Sequence, residues 1–265
     1  MALLGRATLA LLLAGGDALL AHRGQAEDLS CLCLNWADVY KADSGHNVQC
    51  GQGMELFSTM DGMNIGLDSH VKNKVALAKS SMTASAALEK LKGTATYKRF
   101  CTDFFMKAKF NYCMNKRFMM TAEQVHSSKG SWCYVSSKCK LPAPYAVPVE
   151  GTNVMAKMCS PQVFDMPLNK MLMEDEAKVA ETLHLDQGML AGHAYIWKDM
   201  LVRDVTDVDI DLIGNLQEGK DGTFIMSEQD HFAPRWVVRK GSVYEHTYDN
   251  TTGVWTVKCK RDCYA

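Results

Sequence analysis

The sequence predicts an α+β protein, with a disulfide-stapled helical part followed by a small C-terminal antiparallel β-meander. Three observations predict it. All ten cysteines of the 265-residue chain lie beyond an apolar leader, and an even cysteine count in that position reads as a disulfide framework. The middle of the chain places apolar residues at three- and four-residue steps, the helical period, whereas its end alternates with period two. Hydrophobic residues make up 47% of the chain. That is enough for an ordinary core, so the cysteines reinforce a core and do not replace one.

The leader comes first. Arg6 supplies a basic start, residues 7–14 are an apolar run, and Gly15, Gly16 and Asp17 break it. The run is too short to span a bilayer. Small-x-Ala sites follow at Gly16-Asp17-Ala18 and Gly24-Gln25-Ala26. Residues 1–26 therefore read as a signal peptide cleaved after Ala18 or Ala26, which places the protein in the secretory pathway, extracellular or luminal. No later segment has the apolar length of a spanning helix, so the mature chain is expected to lack a transmembrane segment. A plastid-luminal location is the further alternative. A transit extension should be acid-poor, but Glu27 and Asp28 follow the leader directly, which argues against it.

Residues 27–160 form the expected cysteine-rich α-helical domain, with Cys31, Cys33, Cys50, Cys101, Cys113, Cys133, Cys139 and Cys159; Cys259 and Cys263 belong to the tail. Ten cysteines allow roughly nine hundred complete pairings, so connectivity stays open. Cys31 and Cys33 are too close in sequence to share a role and should find different partners. Residues 68–92 predict a helix, with Val71, Val75, Ala78, Met82 and Ala86 on one face and Gly93 after its end. Residues 96–118 predict a second, whose apolar face is Phe100, Phe104, Phe105, Ala108 and Tyr112. In a helix Cys101 and Cys113 would stand about 18 Å apart. A disulfide needs Cα atoms within about 7 Å, so these two should not pair. Residues 121–140 read as a loop holding Trp132-Cys133-Tyr134, with Cys133 and Cys139 joining the helices to it. Pro142, Pro144 and Pro148 then predict an extended linker. Zinc is not expected, since neither Cys-x-x-Cys nor a paired-His spacing occurs.

Residues 161–232 are the expected acidic helical and loop segment, helical over 169–201. Residues 233–265 predict the meander, with strands at 235–240, 243–249 and 254–260 joined by turns. Three strands alone are marginal, so Trp255, Val257, Tyr244 and Tyr248 should rest on the helices. Asn250-Thr251-Thr252 is a glycosylation sequon on the second turn. Cys259 and Cys263 can pair locally if the chain turns between them; the competing arrangement ties one of them to Cys31 or Cys33.

Charge is segregated. Residues 71–140 hold fourteen Lys and Arg against three Asp and Glu, residues 150–231 hold six against sixteen, and the whole chain stands at −1. Two packed parts that neutralise each other account for this better than a polyanion site, because no consecutive basic block exists. Nucleic acid is not an expected partner. Asp207, Asp209, Asp211 and Glu218 occupy ligand positions of a calcium loop, but Leu212 stands where the sharp turn needs glycine; calcium is the only cofactor the sequence raises. Residues 214–221 approach a phosphate-binding loop and end on Asp221 where a hydroxyl is required. No Gly-x-Ser-x-Gly is present, and no catalytic residue is assigned.

The series Phe100-Cys101-x2-Phe104-Phe105, Tyr112-Cys113, Trp132-Cys133-Tyr134-Val135-x3-Cys139 and Lys157-x-Cys159 continues into Leu183-x-Leu185-Asp186-x-Gly188-x-Leu190 and Ala194-Tyr195. It resembles uncharacterised secreted cysteine-rich proteins of dinoflagellate algae. The resemblance covers residues 31–197 and implies a signal peptide and disulfides; it carries no activity, and the tail from Val202 lies outside it.

The expected function is a non-catalytic, secreted, disulfide-stabilised binding or structural module for a protein, glycan or cell surface. The alternative is a secreted hydrolase with a cleft site between the two halves. A buried cluster of His with Asp or Glu in that cleft would favour the enzyme, and an exposed apolar patch without such a cluster would favour the binder.

Overall fold

The computed structural model describes residues 29–56, 84–116, 118, 130–143, 145–160, 165–201, 205–218, 220–227, 229, 233–249, 251–252 and 254–263. The leader and residues 68–83 of the first predicted helix fall outside them. Helices and two sheets are both present, so the protein is α+β.

The first sheet has the order β1 (Met114–Asn115), β2 (Ser131–Ser136), β4 (Val154–Met158), β3 (Ala146–Pro148), all antiparallel. β2 lies inside it, with Trp132 opposite Met114 on one side and Met158 on the other. Trp132, Cys133, Tyr134 and Val135 are all buried. A strand covered on both faces reads as one continuous apolar run, which is why this stretch looks like a loop in the sequence and is a strand in the fold.

The N-terminal arm lies across this sheet. Asn35 caps a short helix α1 (Trp36–Val39) by accepting from the Asp38 amide at 3.3 Å. Leu34 N–H donates to the Tyr134 carbonyl at 2.8 Å. Trp36 sits edge-on to Trp132 with ring centroids 4.9 Å apart and donates its indole N–H to the Tyr112 carbonyl at 2.8 Å. Beneath it Glu55 is buried and accepts from Tyr40 at 2.8 Å and Tyr134 at 2.6 Å. Gly53 makes this nest possible: a Cβ there would lie 2.6 Å from the Trp132 ring and collide with the Tyr134 hydroxyl.

The predicted helix over 96–118 is corrected. A helix α2 (Ala84–Leu91) ends before it, and a turn at Ala95–Tyr97 runs into one π-helical turn, Lys98–Thr102, then a 3-10 turn, Phe105–Lys107, and then β1. Phe100, Phe104, Phe105, Ala108 and Phe110 are all buried. A helical stripe through Phe100, Phe104, Phe105 and Ala108 would leave Phe110 on the opposite face, and Phe, Cys, Thr and Asp are weak helix formers, so tertiary burial wins. The expectation that Cys101 and Cys113 stay apart survives.

The acidic segment supplies α3 (Met173–Leu183), with Glu174, Asp175 and Glu176 at its positive end, and α4 (Gln187–Ala194), buried along its whole length. The helical reading of 169–201 is corrected at its end: Ile196–Asp199 is a strand, β5. It is followed by α5 (Asp207–Gly214), β6 (Thr223–Met226), β7 (Arg235–Arg239), β8 (Ser242–Asp249) and β9 (Val254–Arg261). The last three strands are the predicted meander, and β5 and β6 extend it to a five-strand sheet in sequential order, with β5 and β6 parallel and the other pairs antiparallel.

Period-two alternation splits this sheet between two cores. Phe224, Met226, Val237 and Tyr244 join the main core, which also holds Trp36, Phe104, Trp132 and Leu190. Ile225, Trp236, Val238 and Val243 form a smaller core with Ile210 and Ile213 of α5.

Five disulfides hold the chain: Cys31–Cys139, Cys33–Cys133, Cys50–Cys101, Cys113–Cys159 and Cys259–Cys263. The eight upstream cysteines pair among themselves and the tail pair is local. Cys31 and Cys33 take different partners, as expected. Cys133 and Cys139 do not join helices to a loop; they fasten the N-terminal arm to β2 and the turn after it. Among the described residues no helix is long and apolar enough to cross a membrane.

Candidate binding cleft

A cleft of about 870 Å³ opens between the π-helical and 3-10 turns, the C-terminal end of α3, and the edge of the second sheet. Asp186 stands in its wall. This residue caps α4, its Oδ1 accepting from the amides of Gly188 at 2.7 Å and Met189 at 3.2 Å. The same oxygen receives Arg235 Nη1 at 3.2 Å, while Arg99 approaches Oδ2 at 3.8 Å. Arg235 can come this close because residue 188 is glycine: a Cβ there would lie 3.0 Å from the guanidinium carbon. The Arg99–Asp186 contact joins the basic and acidic segments that the charge pattern set apart.

Register builds the adjoining wall. Arg235 on β7 pairs with His246 on β8, and Tyr248 on β8 pairs with Trp255 on β9. Cross-strand partners share a face, and so do residues two apart. The four side chains therefore continue the face that buries Tyr244, beyond the end of the core. Arg235 lies over the Trp255 ring with its guanidinium carbon 4.6 Å from the centroid. Tyr248 is 5.0 Å from Trp255, centroid to centroid, and remains 48% exposed.

His246 lines the cleft yet is only 1% exposed, and neither ring nitrogen has a hydrogen-bond partner among the described residues. Burial pulls its pKa down to about 3, helped by the positive charge of Arg235. At neutral pH it is a neutral imidazole with one donor and one acceptor to offer. Leaving such a group unmatched costs about 1–3 kcal/mol. The remaining charges of the cleft are largely matched within the chain: Asp103 lies 3.7 Å from Lys107, and Asp186 is held by the two arginines.

The residues singled out in the sequence fall elsewhere. The ten cysteines are all bonded. Asn250 is outside the described residues, though Thr251 and Thr252 beside it are exposed. The calcium-loop residues are not arranged as a loop, because Asp207, Asp209 and Asp211 belong to α5. Asp209 reaches back to the Thr206 amide at 2.9 Å and hydroxyl at 2.6 Å, and these bonds hold its pKa below the ordinary carboxylate value. Asp211 lies 3.4 Å from Arg261, and Glu218 accepts from Lys198 at 2.9 Å. On a helix these aspartates do not present the successive ligands with which a calcium loop wraps one ion. Residues 214–221 run from a helix toward a strand, the reverse of a phosphate-binding loop, and Asp221 pairs with Lys170 at 2.7 Å.

Sequence reasoning missed Arg235, Asp186 and His246 as site residues. The signal for Arg235 and His246 was the alternation of β8 combined with its pairing register, which is a tertiary quantity; Asp186 was legible only as a helix cap. No protein-family model matches the chain, no curated protein matches it, and no solved structure matches it.

Proposed function

We propose that this disulfide-stabilised protein is a secreted binding module whose cleft takes a glycan. The observation that carries the reading is the Tyr248–Trp255 shelf, set against the Arg235–Asp186 pair and the buried His246. Sugar rings combine apolar C–H faces, which stack on aromatic rings, with hydroxyls that both donate and accept. Asp186 accepts, and Arg99 and Arg235 donate, while the buried neutral His246 backs the wall from behind. Because the cleft's acids and bases are matched to one another, it has little net charge with which to select a charged ligand.

The hydrolase alternative receives less support. No carboxylate of the described residues hydrogen-bonds a ring nitrogen of His246, so the orienting partner of a triad is missing. A base with a pKa of about 3 is also poorly matched to proton abstraction at neutral pH. Five disulfides suit an oxidising compartment, which agrees with the leader and with a glycan-rich surrounding.

Calorimetric titration of the full chain with a panel of neutral oligosaccharides tests this. At least one should bind, and Trp255→Ala should weaken it at least tenfold. Absence of binding across the panel, equal binding by the variant, or release of hydrolysed product by the wild-type chain would overturn the reading.

A further inference from the structure

Four of the upstream cysteines form one group. Cys33–Cys133 and Cys113–Cys159 lie against each other, with the Sγ atoms of Cys33 and Cys113 3.5 Å apart and all four sulfurs within 4.8 Å of one another. The first sheet makes this inevitable. Cys133 is on the inner strand β2, Cys113 immediately precedes β1, Cys159 immediately follows β4, and both of those strands flank β2. Three neighbouring strands thus deliver cysteines to one end of the sheet, and the arm brings the fourth. Cys113 and Cys133 are buried, whereas Cys33 and Cys159, one from each bridge, are half-buried. A buried ion pair of Lys157 and Asp165 borders the group, with Asp165 Oδ1 4.0 Å from Cys33 Sγ.

We propose that this quartet is a thiol–disulfide exchange site, entered by an external monothiol at Cys159, the half-buried member of the Cys113–Cys159 bridge. The thiolate of the monothiol attacks Cys159 Sγ; a mixed disulfide forms, the Cys113–Cys159 bond breaks, and Cys113 leaves as a thiolate. Cys113 then attacks Cys33 Sγ, its neighbour at 3.5 Å; the Cys33–Cys113 bond forms, the Cys33–Cys133 bond breaks, and Cys133 leaves as a thiolate. Cys133 attacks Cys159 Sγ in the mixed disulfide, forms Cys133–Cys159 and returns the monothiol. Each step makes one S–S bond and breaks one, so there is no net oxidation and the monothiol is a catalyst. Exchange of this kind needs a thiolate, access and a sulfur within reach. The sheet supplies reach by holding the reacting atoms together, which turns a bimolecular step into an intramolecular one.

The test is incubation of the native full chain with reduced glutathione, followed by acid quench, alkylation and peptide mapping without reduction. Crosslinks Cys33–Cys113 and Cys133–Cys159 should accumulate as a pair. Recovery of only the original pairings, at glutathione levels that label Cys159, overturns the proposal, and so does scrambling of the quartet with Cys31, Cys50, Cys101 or Cys139. Cys133→Ser sharpens the result by leaving Cys33 without its partner. Exchange then moves the free thiol to Cys159 and leaves a Cys33–Cys113 crosslink, whereas alkylation confined to Cys33 contradicts it. If that variant does not fold, the wild-type map decides alone.

Discussion

The two sheets are held together by different means. The first has strands of two, six, three and five residues, and it and the N-terminal arm packed on it carry four disulfides that join positions 108, 100, 51 and 46 apart in sequence. The second has strands of four, four, five, eight and eight residues, and its one disulfide spans only four positions. Long strands in sequential order gain ladder bonds from near neighbours. Short strands brought together from distant parts of the chain gain few, and the closure entropy of long loops opposes them. Covalent bridges therefore concentrate where local pairing is weakest, and the open cleft lies along the sheet that does not need them.

The largest effect expected from breaking this contrast is at the disulfides. Cys50→Ala with Cys101→Ala should cost about 3–4 kcal/mol, as expected for removing the closure of a loop near 50 residues that no other bridge closes. Cys259→Ala with Cys263→Ala, removing a five-residue closure, should cost about 2 kcal/mol. Denaturant unfolding of the two double variants measures the difference, and equal losses would mean that the second sheet depends on its bridge as much as the first does.

Buried ionisable groups sharpen the contrast next. Glu55 and Glu176 are both raised by burial. Glu55 accepts from two tyrosines, at 2.8 and 2.6 Å, whereas Glu176 accepts from Tyr195 at the longer distance of 3.4 Å and is pushed up to about 8 by burial. A carboxyl whose folded pKa lies above its unfolded value contributes stability below the unfolded pKa and loses it as pH rises through the folded one. His193 is caged by Phe104, Phe105, Phe118 and Phe100, and burial lowers its pKa to about 4. Its contribution has the opposite sign: it is present above pH 6.5 and is lost as pH falls toward 4. His246 behaves likewise, with a pKa of about 3. Between pH 6.5 and 8, Glu176 is therefore the group expected to dominate. Stability should fall across that window by about 2 kcal/mol, and Glu176→Gln should flatten it. His193→Phe should remove part of the acid-side loss. Thermal unfolding as a function of pH reads both.

Gly53→Ala should cost about 2 kcal/mol, because the new methyl overpacks the Trp132–Tyr134 nest, and the loss should appear in unfolding of the first sheet. Trp255→Ala should cost least, about 1 kcal/mol for a half-buried ring in contact with Arg235. Its main effect should fall on ligand binding and not on unfolding. A larger loss of stability would make the cleft wall part of the core.

How much was legible can be seen at particular residues. Cys259 and Cys263 stand apart from the other cysteines, so the eight-and-two division could be read from spacing. The alternation over 235–260 gave the last three strands, because period two is a property of adjacent residues. The steps at Phe100, Phe104, Phe105 and Ala108 also look helical locally, but Phe110 needs burial as well, and its place is set by Trp36, far away in sequence, whose amide donates to the Phe110 carbonyl at 3.0 Å. β6 was not legible because both of its faces are covered, one by each core, which erases alternation.

By itself, then, the sequence determined the α+β class, the disulfide framework and the terminal meander, since each follows from composition or from contacts between near neighbours. Only the tertiary structure decided which cysteines pair, that β2 is a strand, and that Asp186, Arg235, His246 and Trp255 share a cleft. Those outcomes rest on register and burial between segments tens of residues apart, and local spacing carries no record of them.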